Sequence, residues 1–455
     1  MKRMICRFLA AALAAVLMTA PALAAEEAEA QLPAPWFYSA VADCYAMGLI
    51  DDDYGFYIND PISEEQLDAV TEIVANKLAV LELPQRTVDG AALVIDTTRG
   101  GVMNALYQVC ADYVLPGVES GAEAFLTGLG VVQGDGTGLA AERVCTYQEA
   151  AAMAQRLILA VYDSLNAGSK GLLWKATNGD NTLYLLGTIH VDRSNIYPLH
   201  KSVRDAVLGA ETVAFELNFN DAEEAAVFAA KQVYSDGSKL SDHISADLYA
   251  RVSKAMTDMG MEEEDFCYYK PWALSNSFTV LSSLDDTSSS NAMAMDLYAN
   301  SLADWAGIPV EGVETYEFQC NIFDTLSEEY QETYLDAALS LYEATLEGAE
   351  PDPEVAAAAE LNEKMMAGMF SSWKDRDPDA FVKFYDKAAI VESDDELQSR
   401  LFTDRDPGMI RAAAAYLEQE GSHTVFMAVG AGHMTDPGGI ISGLRALGYT
   451  VELAK

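Results

Sequence analysis

The sequence predicts an α/β protein, with a central sheet flanked by helices and a smaller, mainly helical domain in front of it. Three observations predict this fold. From about residue 171 onward, short apolar runs typical of strands alternate with amphipathic stretches typical of helices. Between residues 30 and 165, apolar residues recur at helical spacing. Two of the strand-like runs end at a Gly that is followed three residues later by a His.

Residues 1–24 have the features of a signal peptide. Three basic residues lie within the first seven positions, and the apolar stretch that follows, 8–20, is too short to span a bilayer. Small residues at 22–24 form an A-x-A cleavage site, so we expect cleavage near Ala24. The sequence therefore predicts a secreted or cell-envelope protein whose mature chain has no transmembrane segment.

The charge of the chain excludes some classes of partner. The formal net charge is −43 at pH 7. Nucleic acids and anionic lipids are bound through Lys and Arg, which neutralise phosphates, so we expect neither as a direct partner. A solvated acidic surface is the interpretation we favour, with weak and nonspecific capture of cations as the alternative.

The cysteines argue against a zinc ribbon or a dense disulfide framework. Five cysteines remain in the mature chain, widely spaced and without a C-x-x-C pair. We expect buried free thiols, with a single disulfide as the alternative. These residues are Cys44, Cys110, Cys145, Cys267 and Cys320.

The predicted helical domain, residues 30–165, contains an order of features that recurs. A helix, a Gly-hydrophobic segment, an Asp/Gly loop and a helix starting with a capping pattern occur first around residues 36–66, where Ser63 is the expected N-cap and Gln66 the capping-box partner. The same order returns at 125–150. It resembles S-layer homology repeats, whose family holds proteins to cell-wall polymers. A cell-wall polymer is therefore an expected partner, and a purely structural helical module is the alternative.

The second predicted domain, residues 171–455, begins after a turn-rich boundary at 166–171. We expect a hairpin from two strands joined across Asn178-Gly179-Asp180, and a final strand at the edge of the sheet. The predicted strands are 172–176, 181–187, 210–217, 309–313, 424–429 and 449–453. The predicted helical stretches are 221–260, 408–420, 438–447 and 291–380, the last of which is broken near Pro309 and Pro351.

His190 and His433 are the candidate residues that point most directly to a functional site. Each follows a strand-like run that ends in Gly, at Gly187 and Gly430 respectively. Such a break indicates a sharp exit at the carboxyl edge of a sheet, where open α/β sheets bind their ligands. Imidazole is the commonest metal ligand and the usual acid or base near neutral pH. We predict that both histidines belong to one site, with two separate structural histidines as the alternative.

Three charged residues are further candidates. Glu216 lies in an apolar run, where an unpaired carboxylate is costly, so we expect it to have a cationic, hydrogen-bonding or metal partner. The alternative is a solvated position at the end of the strand. Glu314 follows another short strand and has the same character. Arg405 precedes the last long helix and could clamp a carboxylate or stabilise an oxyanion, with a surface salt bridge as the alternative.

Residues of about 171–455 resemble the TraB/GumN family, which includes the Tiki metalloproteases and pheromone-shutdown proteins. The resemblance implies a fold like that of the erythromycin-esterase and ChaN group. In the Tiki branch, both Gly-x-x-His histidines and an acidic residue are associated with divalent-metal-dependent peptide cleavage. The matching segments include Gly187-Thr188-Ile189-His190, Val213 to Glu216, Gly312-Val313-Glu314-Thr315 with Gln319, Arg405 with Met409, and Gly430-Ala431-Gly432-His433.

Together, the residues and the resemblance predict an exported metal-dependent hydrolase of the peptidase type. His190 and His433 bind a divalent ion, with Glu216 as a further ligand or general base, and Zn, Mn, Co and Fe all suit such a set. Glu314 and Arg405 orient the peptide substrate or stabilise developing charge. The alternative is a non-catalytic cell-envelope protein that binds or sequesters a peptide or wall polymer.

Overall fold

The computed structural model describes residues 31–87, 93–134, 138–189, 196–283, 293–347 and 353–455. The predicted signal peptide, residues 1–24, lies outside the described residues, and so does His190.

Between residues 31 and 165, the described elements are helices. Ser63 caps the second of them as predicted: its Oγ accepts a hydrogen bond from the Gln66 amide, and the Gln66 side chain accepts one from the Ser63 amide. This reciprocal pair satisfies amides that have no partner inside the helix. The helices are α1 (Tyr38–Ala46), α2 (Glu64–Ala79), α3 (Arg99–Ala111), α4 (Ala122–Gly128) and α5 (Tyr147–Ser164), with single 3₁₀ turns at Tyr54–Phe56 and Val118–Ser120.

The predicted hairpin opens the α/β part of the chain. Its strands pair antiparallel, and Asn178 faces Asn181 across the turn. The side chains of Asn178 and Asn181 both donate to the carbonyl oxygen of Leu417, which ties the hairpin to a helix on the sheet's face. The hairpin strands are β1 (Leu172–Asn178) and β2 (Asn181–Thr188).

The remaining strands complete a mixed sheet of six strands in the order β4-β3-β5-β2-β1-β6. They are β3 (Thr212–Phe215), β4 (Val310–Gly312), β5 (Thr424–Gly430) and β6 (Thr450–Leu453). The three pairings β2–β5, β5–β3 and β3–β4 are parallel, while β1 is antiparallel to both its neighbours. The predicted α/β class and the edge position of the last strand are confirmed.

Helices surround this sheet. Their bounds are α6 (Lys201–Leu208), α7 (Ala222–Lys231), α8 (Ala246–Asp258), α9 (Glu263–Phe266), α10 (Pro271–Ser283), α11 (Met295–Ala306), α12 (Tyr316–Asp324), α13 (Glu328–Glu347), α14 (Pro353–Asp375), α15 (Pro378–Phe384), α16 (Lys387–Val391), α17 (Arg400–Thr403), α18 (Asp406–Leu417), α19 (Ala431–Met434) and α20 (Ile440–Ala446), with a 3₁₀ turn at Leu240–Asp242. Among the described residues, no helix combines the length and apolar character that a membrane crossing requires.

Helix α10 is the longest of the helices in the α/β part that the sequence pattern did not predict. Its sequence is rich in Ser and Thr, which are weak helix formers because their hydroxyls compete for backbone groups. In the structure, the hydroxyls of Ser275, Thr279 and Ser282 each donate to the carbonyl oxygen four residues earlier, so these side chains follow the helix instead of breaking it.

The helical region packs directly on the α/β part, and one continuous set of buried apolar residues includes side chains from both. Tyr38 stacks on Trp305 with ring centroids 4.5 Å apart. The Tyr298 hydroxyl donates to the buried Asp43 carboxylate at 2.7 Å, and Gln155 donates to its other oxygen at 2.9 Å. The division of the chain at residues 165–171, the S-layer-homology-like repeats and the ChaN-like fold stay predictions.

The cysteine prediction is confirmed for all five residues of the predicted mature chain. Cys44, Cys110, Cys145, Cys267 and Cys320 are buried free thiols. Burial raises the pKa of Cys110 to about 12, so this thiol stays protonated at neutral pH. We therefore assign these cysteines to the core.

Candidate functional site

The candidate site lies at the carboxyl edge of the parallel strands. Strands β2, β5, β3 and β4 run in the same direction, and Thr188 at the end of β2 pairs with Gly430 at the end of β5. The strands that lead to the two Gly-x-x-His segments therefore end side by side. Helix α19 starts directly after Gly430 and carries His433. His190 itself lies outside the described residues.

Glu216 is the first residue after β3, at this same edge. Its Oε1 accepts a hydrogen bond from the Gly430 amide at 2.8 Å, so the carboxylate is fixed to the end of the neighbouring strand. Its side chain is 21% exposed, and its Oε2 accepts from Arg405 Nη2 at 2.5 Å. The cationic partner expected for Glu216 is thus present, and the alternative of a merely solvated carboxylate is wrong.

Glu314 reaches the site because β4 runs beside β3. The chain continues the pairing past the strands, and the Glu314 amide donates to the Glu216 carbonyl oxygen at 2.9 Å. Gln319, on helix α12, donates from Nε2 to Glu314 Oε2 at 2.9 Å and to Glu216 Oε2 at 3.4 Å. Two carboxylates are therefore held within reach of one amide.

Arg405 joins these carboxylates from the start of α18. Its Nε donates to both oxygens of Glu314, at 3.1 and 3.0 Å, and its Nη2 donates to Glu314 Oε2 at 2.6 Å as well as to Glu216. The Arg405 side chain is 1% exposed. The predicted carboxylate clamp is present, and the alternative of a surface salt bridge is wrong because the pair is buried.

These contacts set the charge state of the acidic pair. Burial alone raises the pKa of Glu216, but the Arg405 guanidinium and the hydrogen bond from the Gly430 amide hold that pKa below its ordinary value. Burial lowers the pKa of Arg405, and the two carboxylates more than reverse this. Glu216 is therefore a carboxylate at neutral pH.

His433 is fully buried on α19, with its two nitrogens in different surroundings. Nδ1 lies 2.6 Å from Asp406 Oδ1. Nε2 has no hydrogen-bond partner among the described residues, and it lies 3.9 Å from Glu216 Oε1. Because a carboxylate only accepts hydrogen bonds, Asp406 holds a proton on Nδ1, so in the neutral ring the lone pair is on Nε2. Nε2 is the nitrogen that lies 3.9 Å from Glu216 Oε1.

A buried lysine completes the contacts behind the imidazole. Lys387 Nζ donates to Asp406 Oδ2 and to the Thr435 carbonyl oxygen, both at 2.7 Å. The ammonium also lies 4.8 Å from the centre of the Phe402 ring, and this ring packs 5.0 Å from the His433 ring. Burial lowers the pKa of Lys387, and Asp406 opposes that shift.

A second buried polar atom without a partner lies at the same edge of the sheet. Thr188 Oγ1, one residue beyond Gly187, has no hydrogen-bond partner among the described residues. Buried polar groups in folded proteins are nearly always hydrogen-bonded. Thr188 Oγ1 and His433 Nε2 are therefore two buried polar atoms at this edge that have no partner among the described residues.

Of the predicted site residues, the structure brings Glu216, Glu314, Arg405 and His433 together. Sequence reasoning missed Asp406 and Lys387. Asp406 directly follows Arg405 at the start of the same helix. This position next to a candidate residue could have identified it as a further candidate. Lys387 gave none, because its neighbours in the sequence resemble those of a surface lysine. The remaining histidines, His200, His243 and His423, bond to side chains or carbonyl groups away from this edge, as expected.

The ligand set for a metal is incomplete among the described residues. They contain no group of three or more His, Cys, Asp or Glu side chains arranged to hold a metal ion. Among the described residues, Glu216 and His433 are the two candidate ligands at this edge.

Two relatives of the chain carry the name metalloprotease. "Metalloprotease TIKI homolog" from Amphimedon queenslandica is 23% identical over 324 residues, and "Metalloprotease TIKI2" from Xenopus tropicalis is 25% identical over 303 residues. The matches cover 64% and 59% of this chain, but only 62% and 57% of the relatives. No solved structure is significantly similar to the chain. The TraB/PrgY/gumN family matches residues 172–453, which is more than half of the chain, and the chain therefore belongs to that family.

Proposed function

We propose that this chain is a metal-dependent hydrolase that cleaves peptides. The observation that carries the proposal is the buried imidazole of His433. Its Nδ1 is held by Asp406, while its Nε2 has no partner among the described residues and faces Glu216. A buried acceptor without a partner is costly, so the site is built for a ligand. The names of the two relatives support a metal ion as that ligand.

The residues fit a divalent ion. Metal–ligand bonds to His and carboxylate are about 2.0–2.2 Å long, so two ligands of a tetrahedral ion lie about 3.4 Å apart. His433 Nε2 and Glu216 Oε1 are 3.9 Å apart, so they would approach by about 0.5 Å to bind one such ion. Metal-binding histidines usually donate their other nitrogen to a carboxylate, as His433 does to Asp406. We propose His190 as the third ligand, since β2, which leads to it, ends beside β5.

The chemistry of this ligand set leaves Zn, Mn, Co and Fe as candidates. When bound, such an ion polarises a scissile carbonyl and lowers the pKa of coordinated water toward neutrality. Glu216 suits the role of ligand better than that of general base. Its pKa is held below the ordinary value, and a carboxylate that gives up its proton so readily is a weak base near pH 7.

Arg405 and Glu314 support the site by orienting Glu216. The guanidinium donates to both carboxylates and is almost fully buried, so the two glutamates and the arginine form one rigid unit. Gln319 donates to the same two carboxylates and adds to this rigidity. In this proposal, the unit fixes the direction in which Glu216 Oε1 faces, and this oxygen is the one nearest to His433.

We propose export on the basis of the basic start, the apolar stretch and the cleavage pattern of residues 1–24. The substrate is then an extracellular or envelope peptide. The helical region would bring the protein to a cell-wall polymer. Co-sedimentation of the mature chain with purified cell walls tests this partner: binding that is displaced by soluble wall polymer supports it, and protein that stays in the supernatant contradicts it.

The experiment for the proposed activity is cleavage of a peptide library by the mature full-length protein. We expect cleavage to stop after chelation and to return when Zn²⁺, Mn²⁺ or Co²⁺ is added back. We also expect it to be lost in His433→Ala and His190→Ala. The matched control is His423→Ala, an exposed histidine paired with Glu211, which should retain activity.

Two outcomes separate the proposal from its alternative. Activity that survives both His190→Ala and His433→Ala contradicts the assigned roles. A wild-type protein that holds peptides without cleaving them, with Zn²⁺, Mn²⁺, Co²⁺ and Fe²⁺ supplied, supports the alternative of a non-catalytic envelope protein.

A further inference from the structure

Helix α18 begins with two adjacent charged side chains that serve opposite sides of the site. Arg405, its N-cap, turns toward Glu216 and Glu314, while Asp406, its first residue, turns toward His433. The start of one helix therefore fixes both the acidic pair and the imidazole. The acidic side orients Glu216 in the proposed site, whereas Lys387 and Asp406 form a buried ion pair behind His433.

Lys387, Asp406 and His433 form a continuous chain of contacts that ends at the imidazole. Lys387 Nζ is 2.7 Å from Asp406 Oδ2, and Asp406 Oδ1 is 2.6 Å from His433 Nδ1. The side chain of Lys387 is 1% exposed. Burying an ion pair is often no more stabilising than an apolar substitute of the same volume, so stability alone does not account for it.

Lys387 restricts the carboxylate in a way that an apolar residue could not. Its Nζ donates both to Asp406 and to the carbonyl oxygen of Thr435, two residues after His433. One carboxylate oxygen is thus tied to the turn that follows the imidazole, which leaves the other oxygen for Nδ1. Phe402 lies against both the ammonium and the imidazole ring and closes the arrangement from the side.

We propose that Lys387 and Asp406 are the positioning residues of His433: Asp406 keeps the imidazole proton on Nδ1, and Lys387 fixes the carboxylate, so that Nε2 presents its lone pair. The role of Nε2 as a metal ligand rests on the proposed function. The location of the proton does not, and it can be measured on the protein without metal.

The first test is the tautomer of His433 in metal-free protein, read from long-range ¹H–¹⁵N spectra of the full chain with labelled histidine. The His433 signals are assigned by their loss in His433→Gln. In the wild type, at a pH at which the ring carries a single proton, we expect this proton on Nδ1 and none on Nε2. A single proton on Nε2 overturns the proposal without the need for any variant.

The second test is Asp406→Asn. Lys387 donates to one end of this side chain, so the amide oxygen introduced by the substitution should face Lys387 and the amide NH₂ should face Nδ1. Nδ1 must then accept, and the proton should move to Nε2. An unchanged His433 tautomer in a folded variant overturns the proposal.

The double variant Lys387→Met with Asp406→Asn separates positioning from a structural role. Without Lys387, the amide is free to turn its oxygen back toward Nδ1, so the wild-type tautomer should return at least in part. With Co²⁺ as the probe, we expect Asp406→Asn to weaken binding about 10–100-fold and the double variant to bind more tightly than Asp406→Asn alone. If the two residues had only a structural role, the double variant would bind Co²⁺ more weakly than Asp406→Asn alone. That result overturns the proposal.

Lys270→Met is the matched control. Lys270 also pairs with an aspartate, Asp324, at 2.8 Å, but it touches neither His433 nor Asp406. We expect it to leave both the His433 tautomer and Co²⁺ binding unchanged. If the wild type binds no Co²⁺ and Asp406→Asn still shifts the proton, the proposed function fails while the positioning role stands.

Discussion

At the scale of single residues, the free energy of unfolding should depend strongly on the unit formed by Arg405, Glu216 and Glu314. One cation that is almost fully buried faces two carboxylates, of which Glu314 is also buried. The desolvation of these groups is compensated only while all of them are present. The unit therefore behaves as a whole, and removing its single cation leaves two carboxylates with like charge in a poorly solvated place.

Arg405→Met should destabilise the protein by about 3–5 kcal/mol, because it leaves both carboxylates without their cation. Urea unfolding measures the loss. The matched control is Arg251→Met, since Arg251 also pairs with two carboxylates, Asp336 and Glu343, but at an exposed position. There we expect a loss below about 1 kcal/mol for each pair. Equal losses in the two variants would contradict the buried clamp.

The pH dependence of stability reports on Glu216. Its pKa in the folded state is lowered, so its ionised form contributes stability above the unfolded-state pKa of about 4.3, and this contribution is lost as the pH falls through the folded-state pKa. The difference in unfolding free energy between wild type and Glu216→Gln should be constant from pH 7 to about 5 and shrink below about 4.3. A difference that already shrinks between pH 7 and pH 5 would show that burial outweighs Arg405.

At the scale of elements, the site depends on how closely strand β2 approaches helix α19. A Cβ atom on Gly187 would lie 2.9 Å from Ala431 Cα and 3.1 Å from Ala431 Cβ, nearer than side chains tolerate. A Cβ atom on Gly432 would lie 2.6 Å from the Tyr385 hydroxyl. Gly187 therefore allows β2 to approach the helix that carries His433, and Gly432 allows that helix to pack against Tyr385.

Gly187→Ala should destabilise the protein by about 1–3 kcal/mol through overpacking between β2 and α19. Thermal or urea unfolding measures it. Gly128→Ala is the matched control: Gly128 ends α4 with open space where a Cβ would lie, and alanine favours helix by up to about 1 kcal/mol. If both variants lose the same free energy of unfolding, the close contact between β2 and α19 does not require a glycine at position 187.

The strands were predictable because apolar runs and Gly breaks are local signals. The run before Gly430 and the run before Gly187 both proved to be strands of the parallel part, and their pairing explains why two distant motifs share an edge. Glu216 and Glu314 were predictable for the same reason, since each closely follows a short strand. The partners of His433 could not be predicted. Lys387 and Asp406 meet only through the packing of α16 and α18, and neither segment carries a periodic signal of that contact.

At the scale of the whole molecule, the helical region and the α/β part share buried groups and should unfold together. Asp43 of α1 is buried, and its two oxygens accept from Tyr298 of α11 and from Gln155 of α5. Burial raises the pKa of Asp43, and these two hydrogen bonds oppose that shift. The carboxylate is thus held by donors from both parts of the chain.

Tyr298→Phe removes one of these donors and should cost about 1–3 kcal/mol, because it leaves a buried carboxylate oxygen without its partner. Tyr449→Phe is the control: its hydroxyl donates to Glu418 at an exposed position, and we expect a change within about 0.5 kcal/mol. Far-UV circular dichroism and tryptophan fluorescence should follow one transition in the wild type. Two separate transitions would contradict a shared core.

The most direct test of the central claim is the metal content of the purified full-length protein, supplied with Zn²⁺, Mn²⁺, Co²⁺ and Fe²⁺ and then dialysed. We predict one tightly bound divalent ion per chain in the wild type and in the control His423→Ala, and its loss in His433→Gln. A wild type that retains no metal, or a His433→Gln variant that retains as much as the wild type, would contradict the account.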